Sequence, residues 1–262
     1  MKTNLFDLRG QLEKKTNTMI GLIGFVILLS IWIFITSMGM VKPQILPSPF
    51  KVLFSFKALH FEDSLVRNLI FSVYLNYMGY IEAVLCSLLV GFILGLFPLF
   101  RSLFSKYVDA IRFLPLTALT GLFIAWFGIG NNMKIQFLAF GIFVYLVPVV
   151  IQRIDEVDDV YEQTAIMLGA TKWQRILHVF FPAVMSKISD DIRVLVAISW
   201  TYIIVAEMIN AVGGIGPLTY VFARRSQMEK VFALLIVIIM TGFIQDQIFR
   251  MIDKISFKHK YL

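Results

Sequence analysis

Six apolar runs, at about residues 19–40, 73–100, 112–130, 135–151, 192–212 and 231–249, constrain this chain more than any other feature. At ~1.5 Å per residue, a helix over each run crosses, or nearly crosses, a hydrocarbon layer of roughly 30 Å. A helix satisfies its backbone polar groups internally, which that layer demands. Composition agrees. Hydrophobic residues make up 58% of the chain and mean hydropathy is +0.80, with 25 Phe and only 16% charged residues. Soluble domains lie nearer ~45–50% apolar. The expected fold class is all-α: a polytopic membrane protein of about six transmembrane helices. The first run is longer than a signal-peptide core and no small-residue cleavage site follows it, so it reads as a span. The third contains Pro115, which neighbouring helices can accommodate. The second reads as starting with an interfacial helix near Ser64. Cys86, the single cysteine, reads as a buried structural thiol.

The formal charge of +7 could suggest nucleic acid, but in a chain this apolar the placement of charge matters more than its sum. Lys14 and Lys15 precede the first run. Arg101, Lys106 and Arg112 lie between the second and third. Arg153, Lys172, Arg175, Lys187 and Arg193 lie between the fourth and fifth, and Arg250, Lys254, Lys258 and Lys260 follow the sixth. With both termini inside, cytoplasmic segments hold about twice the Lys and Arg of the outer ones, which favours that orientation. The chain then divides into a cytoplasmic N-terminal segment (1–18), a transmembrane domain (19–251) and a cytoplasmic tail (252–262).

The stretch Tyr161–Pro182 is amphipathic and partly charged. Val157, Val160, Tyr161, Ala165 and Leu168 recur at helical spacing, and Gly169 breaks the pattern. Thr171 and Gln174 form a T-x-x-Q capping box, so a second short helix starts there, with Trp173, Ile176, Leu177 and Phe180 on one face and Pro182 after it. Two short helices joined at a glycine make a knob suited to a groove on a partner.

This segment resembles the cytoplasmic signature of ABC-importer permeases, roughly E-A-A, three residues, G, nine residues, I-x-L-P. Gly169 matches the glycine, Val179 the isoleucine, Phe181 the leucine, Pro182 the proline and Ala165 the second alanine. Thr164 stands at the first alanine and Gln163 at the glutamate, while Glu162 is one position early. The run Trp126–Gly130 (WFGIG), Val205-Ala206-Glu207-Met208, Gly213-Gly214-Ile215-Gly216 and Leu46-Pro47-Ser48-Pro49 resemble the nitrate, sulfonate, taurine and bicarbonate group of these permeases, in the same order along the chain. The resemblance implies a type I ABC-importer-like permease with a cytoplasmic coupling segment over 155–182. It implies two ATP-binding subunits, a second permease copy, identical or not, and an external solute-binding protein as partners. Its substrate would be a small anion such as nitrate, a sulfonate or taurine. A vitamin precursor for thiamine or riboflavin, or a self-contained secondary transporter, are the alternatives.

On that reading the ATPase-coupling interface comprises Glu162, Gln163, Ala165, Gly169, Ala170, Thr171 and Trp173. Candidate pathway residues are Glu207, with Asn210 one turn on, together with Tyr202 and Trp200. An ionisable group in a span usually faces the bundle interior or a wet path, so Glu207 is either a gate residue or a structural carboxylate. Glu82 invites the same question. No G-x-x-x-x-G-K-[ST] loop is present, so ATP hydrolysis is expected in a separate subunit. No catalytic constellation, cofactor motif or metal-ligand cluster stands out, and His60, His178 and His259 are isolated.

Overall fold

The computed structural model describes residues 10, 12–209 and 212–260, and they are predominantly helical. In chain order the helices are α1 (Lys14–Ser37), α2 (Pro49–Phe61), α3 (Leu65–Leu96), α4 (Pro98–Ile111), α5 (Thr120–Phe127), α6 (Asn131–Asp155), α7 (Asp159–Met167), α8 (Lys172–Arg175), α9 (Phe181–Ile209), α10 (Ile215–Arg224) and α11 (Met228–Ser256). Among the described residues five helical stretches are long and apolar enough to cross a membrane, or six if the bent α4–α5 pair counts as one span. The all-α polytopic expectation therefore holds.

Three local expectations change. The second span starts as one helix at Leu65, so no separate interfacial helix begins near Ser64. Cys86 is exposed on α3 rather than buried, on the face turned away from the bundle. The third span begins at Pro98, well before residue 112, and is broken: its two arms meet at 97°. Pro115 is the physical reason. It lacks an N–H and drives the preceding residue out of the helical region. The chain leaves α4 after Ile111 and resumes as a single 3₁₀ turn, Leu116–Leu119, ahead of α5. Arg112 thus sits at the break between α4 and α5, not at the start of an apolar helix.

The helices group into two compact units. One holds the described residues up to Asp63 together with Val221–Leu234. In it Pro49 opens α2 behind Ser48, whose hydroxyl accepts from the Lys51 N–H. Trp32 Nε1 donates to the Pro47 carbonyl at 3.0 Å, and Lys230 pairs with Asp63 at 2.6 Å.

The other unit holds Ser64–Tyr220 and Leu235 onward, and its axis is the contact between α3 and α6. Gly79, Ala83, Ser87, Gly91 and Gly95 recur every fourth residue along α3 and so share a face. A methyl added at Gly79 would stand 2.8 Å from the Ile135 carbonyl, at Gly91 2.5 Å from Val150 Cβ, and at Gly95 2.5 Å from Ile154 Cδ1. Small residues at this spacing let two membrane helices approach closely, where dispersion rather than the hydrophobic effect holds them. Leu138, Ile142, Leu146 and Val150 of α6 fill the core, which Ile188, Val196, Trp200 and Ile203 of α9 complete. Asn76 donates to Ser199 Oγ at 2.9 Å, the Tyr80 hydroxyl donates to the Ile192 carbonyl, and Glu82 accepts from Gln136 Nε2 at 2.7 Å.

Gly91→Ala is expected to lower stability by about 1–3 kcal/mol, the usual cost of overpacking. Gly24→Ala, where nothing lies within 4 Å, is the control that should not. Thermal unfolding of the purified chain in detergent reads both, and equal midpoints would contradict the close-packing account.

Candidate functional site

Asp158 caps α7 by accepting from the Val160 N–H at 3.0 Å, and α7 ends at Met167. Its stop is a Schellman arrangement: the Ala170 N–H donates to the Ala165 carbonyl and the Gly169 N–H to the Ile166 carbonyl, each at 2.9 Å. Gly169 carries this turn with φ +78°, a conformation that costs a side chain roughly 1–2 kcal/mol. The space around it is open, so backbone conformation and not crowding demands the glycine. Thr171 and Gln174 form the reciprocal capping box: Gln174 Oε1 accepts from the Thr171 N–H at 2.8 Å, and Thr171 Oγ1 accepts from the Gln174 N–H at 3.4 Å.

The second knob helix does not end at Pro182. It passes through a π-helical turn, Ile176–Phe180, where the Phe181 N–H reaches back to the Ile176 carbonyl, and continues as α9. Pro182 has no N–H to give and its ring crowds the preceding turn, and the wider turn ahead of it relieves both constraints. Lys172–Ile209 is therefore one helical path from the knob through a span.

The knob is braced from within and below. Arg175 pairs with Glu162 at 2.6 Å across α7 and α8. Arg153 at the end of α6 holds Asp191 of α9 at 2.7 Å and Glu156 at 2.8 Å, and Arg101 of α4 holds Asp155 at 2.5 Å. The Arg153 hydrogen bond keeps the Glu156 carboxyl below its usual range. Arg101–Asp155 is exposed and the other pairs are half-buried; solvent-screened pairs each contribute only about 0–1 kcal/mol, so they orient the knob more than they stabilise it. Gln163 is exposed, and Leu168 and Trp173, at 82% and 76% exposure, project with Met167 and Leu177 around the Gly169 turn. Among the described residues that apolar surface has no partner.

At the far end of α9, Glu207 is fully buried. The Ser72 hydroxyl of α3 faces both carboxylate oxygens, at 2.7 and 2.9 Å, and the Gly216 N–H donates to Oε2 at 2.9 Å. Ser72 Oγ in turn accepts from the Ile215 N–H at 2.9 Å, and Asn68 Oδ1 accepts from the Gly214 N–H at 3.0 Å. The carboxylate thus caps the first turn of α10, where the helix dipole favours negative charge. Gly214 has φ +107°, and a methyl there would collide with the Glu207 carboxylate. The two short motifs at 205–208 and 213–216 are one physical unit, a buried acid and its glycine seat. Lys134, also fully buried, belongs to the same neighbourhood. Its Nζ donates to the Val212 carbonyl at 3.3 Å, lies 5.5 Å from the Phe71 ring centre and interacts electrostatically with Glu207. Lys134 is not among the candidate residues read from the sequence; its position just after Asn131-Asn132 was the available signal. Asn210 lies outside the described residues.

Trp200 is buried and donates from Nε1 to Gln245 Oε1 of α11 at 2.7 Å. Tyr202 packs against Gly141 of α6 and borders a cavity of about 230 Å³ at the α4–α5 break. Glu207, Trp200 and Tyr202 share α9, but the structure does not bring them into one site.

The description "Binding-protein-dependent transport system inner membrane component" fits residues 84–255 as a family match. The chain is 28% identical over 242 residues to SsuC of Bacillus subtilis (strain 168), named for aliphatic sulfonates transport, covering 92% of this chain and 88% of that one. It is 26% identical to the taurine transport system permease protein TauC of Escherichia coli (strain K12), covering 79% and 77%. A solved structure of the MetNI methionine ABC transporter in inward facing conformations superposes with a TM-score of 0.61 at 19% identity, over 71% of this chain and 94% of that one, a likeness of fold.

Ser72→Ala and Glu207→Gln are each expected to cost about 1–3 kcal/mol by leaving buried groups unpaired. Their effects should be coupled, the pair costing less than the sum. Thermal unfolding of the wild type, the two single variants and the double variant in detergent reads this, and simple additivity would contradict the clamp.

Proposed function

The chain belongs to the binding-protein-dependent transport system inner membrane component family, and from that premise we propose that it carries a small anion, delivered by its binding protein, through a path opened by ATP-driven movement of the knob. As a permease it forms the membrane component of an ABC importer and is not itself the ATPase. The importer's ATPase and solute-binding protein are its partners.

The knob carries the coupling reading. Its apolar surface at Met167, Leu168, Trp173 and Leu177 is exposed around a turn locked by a Schellman arrangement and a capping box. It leads without interruption into α9. A rigid, unpartnered apolar knob continuous with a span is what a docking ATPase needs in order to move that span. In our reading Glu162, Gln163, Ala165, Gly169, Ala170, Thr171 and Trp173 meet the ATP-binding subunit. The two-to-one bias of Lys and Arg supports termini and knob on the cytoplasmic side. Two ATP-binding subunits and a second permease copy complete the assembly. Tyr202, Trp200, Glu207 and Asn210 are assigned near the path. For Glu207 the closed set of hydrogen bonds favours a gate-holding role over direct contact with an anion, which a bare carboxylate would repel.

The substrate class follows from the resemblance to sulfonate, taurine and nitrate permeases, in line with the names of the two relatives above.

Gly169→Asp forces a branched acidic side chain into the left-handed turn. The variant is expected to reach the membrane in normal amount yet to lose its ATP-binding subunit on affinity purification, or to uncouple ATP hydrolysis from uptake. Normal uptake by that variant would overturn the docking reading.

A further inference from the structure

Arg112 stands at the break between α4 and α5, level with the middle of α6, a helix long and apolar enough to cross a membrane. α4 runs beside α6 from its end toward its middle. Arg101 pairs with Asp155, Val108 packs on Val147 and Ile151, and Leu116 meets Gly141. Past the break, Phe123 stacks edge-on against Phe137 at 5.5 Å. The break at residues 112–115 therefore lies beside Gly141, Val144 and Tyr145, at the midpoint of a spanning helix.

Arg112 is exposed there. Its guanidinium rests over the Phe113 ring at 5.4 Å, and it makes no ion pair among the described residues. A charge at that depth is expelled from lipid and turns to a wet cavity or to a partner. The cavity it borders, about 230 Å³, is also lined by Tyr145, Tyr202 and Thr117. Tyr145 and Tyr202 line it together, and each carries a phenolic hydroxyl that can donate without bearing charge.

We propose that this cavity is an oxyanion subsite within the translocation path. Arg112 supplies the charge, and the Tyr145–Tyr202 pair supplies a neutral donor. The guanidinium fork matches two oxygens of a sulfonate or nitrate, whereas an ammonium offers only a point charge. The volume lies below the roughly 300–1,000 Å³ of pockets for drug-sized ligands, so it suits a small anion rather than a vitamin precursor. Discontinuous spans commonly build such midplane sites, with irregular backbone tolerated where it lines a cavity. The permease would then add its own filter for charge behind the binding protein. This inference rests on the reading that an anion crosses this chain.

The test uses the whole importer in proteoliposomes, with binding protein, ATP and labelled taurine, methanesulfonate and nitrate as probes. Arg112→Gln should reduce uptake about tenfold to a hundredfold, as expected from losing one charge-assisted pair. ATP hydrolysis stimulated by the loaded binding protein should persist, which shows an assembled complex. Arg112→Lys should recover part of the loss. Should Arg112→Gln fail to assemble, Arg112→Cys on a Cys86→Ser background decides the matter: a sulfonated thiol reagent should modify it faster than a cationic one, and taurine should protect it. Wild-type uptake unaltered in Arg112→Gln, or labelling indifferent to reagent charge and to taurine, would overturn the subsite while leaving the anion reading intact. A wild-type importer that takes up none of the three probes would overturn the anion reading and the subsite with it.

Discussion

The approach of α3 to α6 over Gly79, Gly91 and Gly95 governs how the larger unit is built. Between lipid-immersed helices no water is released by burying leucine, so affinity must come from close contact and polar pairs. The glycines supply the first. Asn76 with Ser199, Tyr80 with the Ile192 carbonyl, and Glu82 with Gln136 supply the second. Once α3 and α6 are fixed, α9 has a defined groove to fill, and Ser72 of α3 is held where Glu207 needs it. A methyl at Gly91 would disturb both ends of this chain of dependence.

Function is then a matter of leverage. The helical path Lys172–Ile209 is 38 residues long, roughly 55 Å at ~1.5 Å per residue. The knob stands at one end and Glu207 at the other. Under the coupling we propose, a push on Met167, Leu168 and Trp173 is carried as rigid-body motion to the seat formed by Gly213–Gly216. The ion pairs of Arg153 and Arg101 sit beside the fulcrum. Exposed at Arg101 and half-buried at Arg153, they remain in reach of water and can exchange partners at modest cost, which suits a part that has to move.

Much of the knob was legible because its rules are local. A capping box needs only Thr171 and Gln174, and a left-handed stop needs only Gly169. Span number was legible for the same reason, since apolar length is read within one run. What escaped depends on which segments meet. The small-residue stripe of α3 has an i+4 spacing visible in the sequence, yet its meaning requires knowing that α6 lies opposite. Glu207 was singled out, but its partners Ser72 and Gly216 come from other helices. Pro115 was noticed and underestimated: in place of a tolerated kink it opens a full break, because Arg112 through Leu114 leave the helix with it. That misreading sent Arg112 to the cytoplasmic tally and hid a cation level with the middle of α6. Lys134 was not singled out, because helix α6 begins earlier than its apolar run.

The coupling reading is tested most directly by single-cysteine cross-linking in the assembled importer, on a Cys86→Ser background. Cysteines at Met167, Leu168 and Trp173 would be compared with one at Ile129, an exposed residue in the turn just before α6, at the end of that helix away from the knob. The account predicts cross-links from the first three positions to the ATP-binding subunit, changing in yield when ATP is added, and none from Ile129. Cross-links from Ile129 with none from the knob would contradict both the docking surface and the orientation.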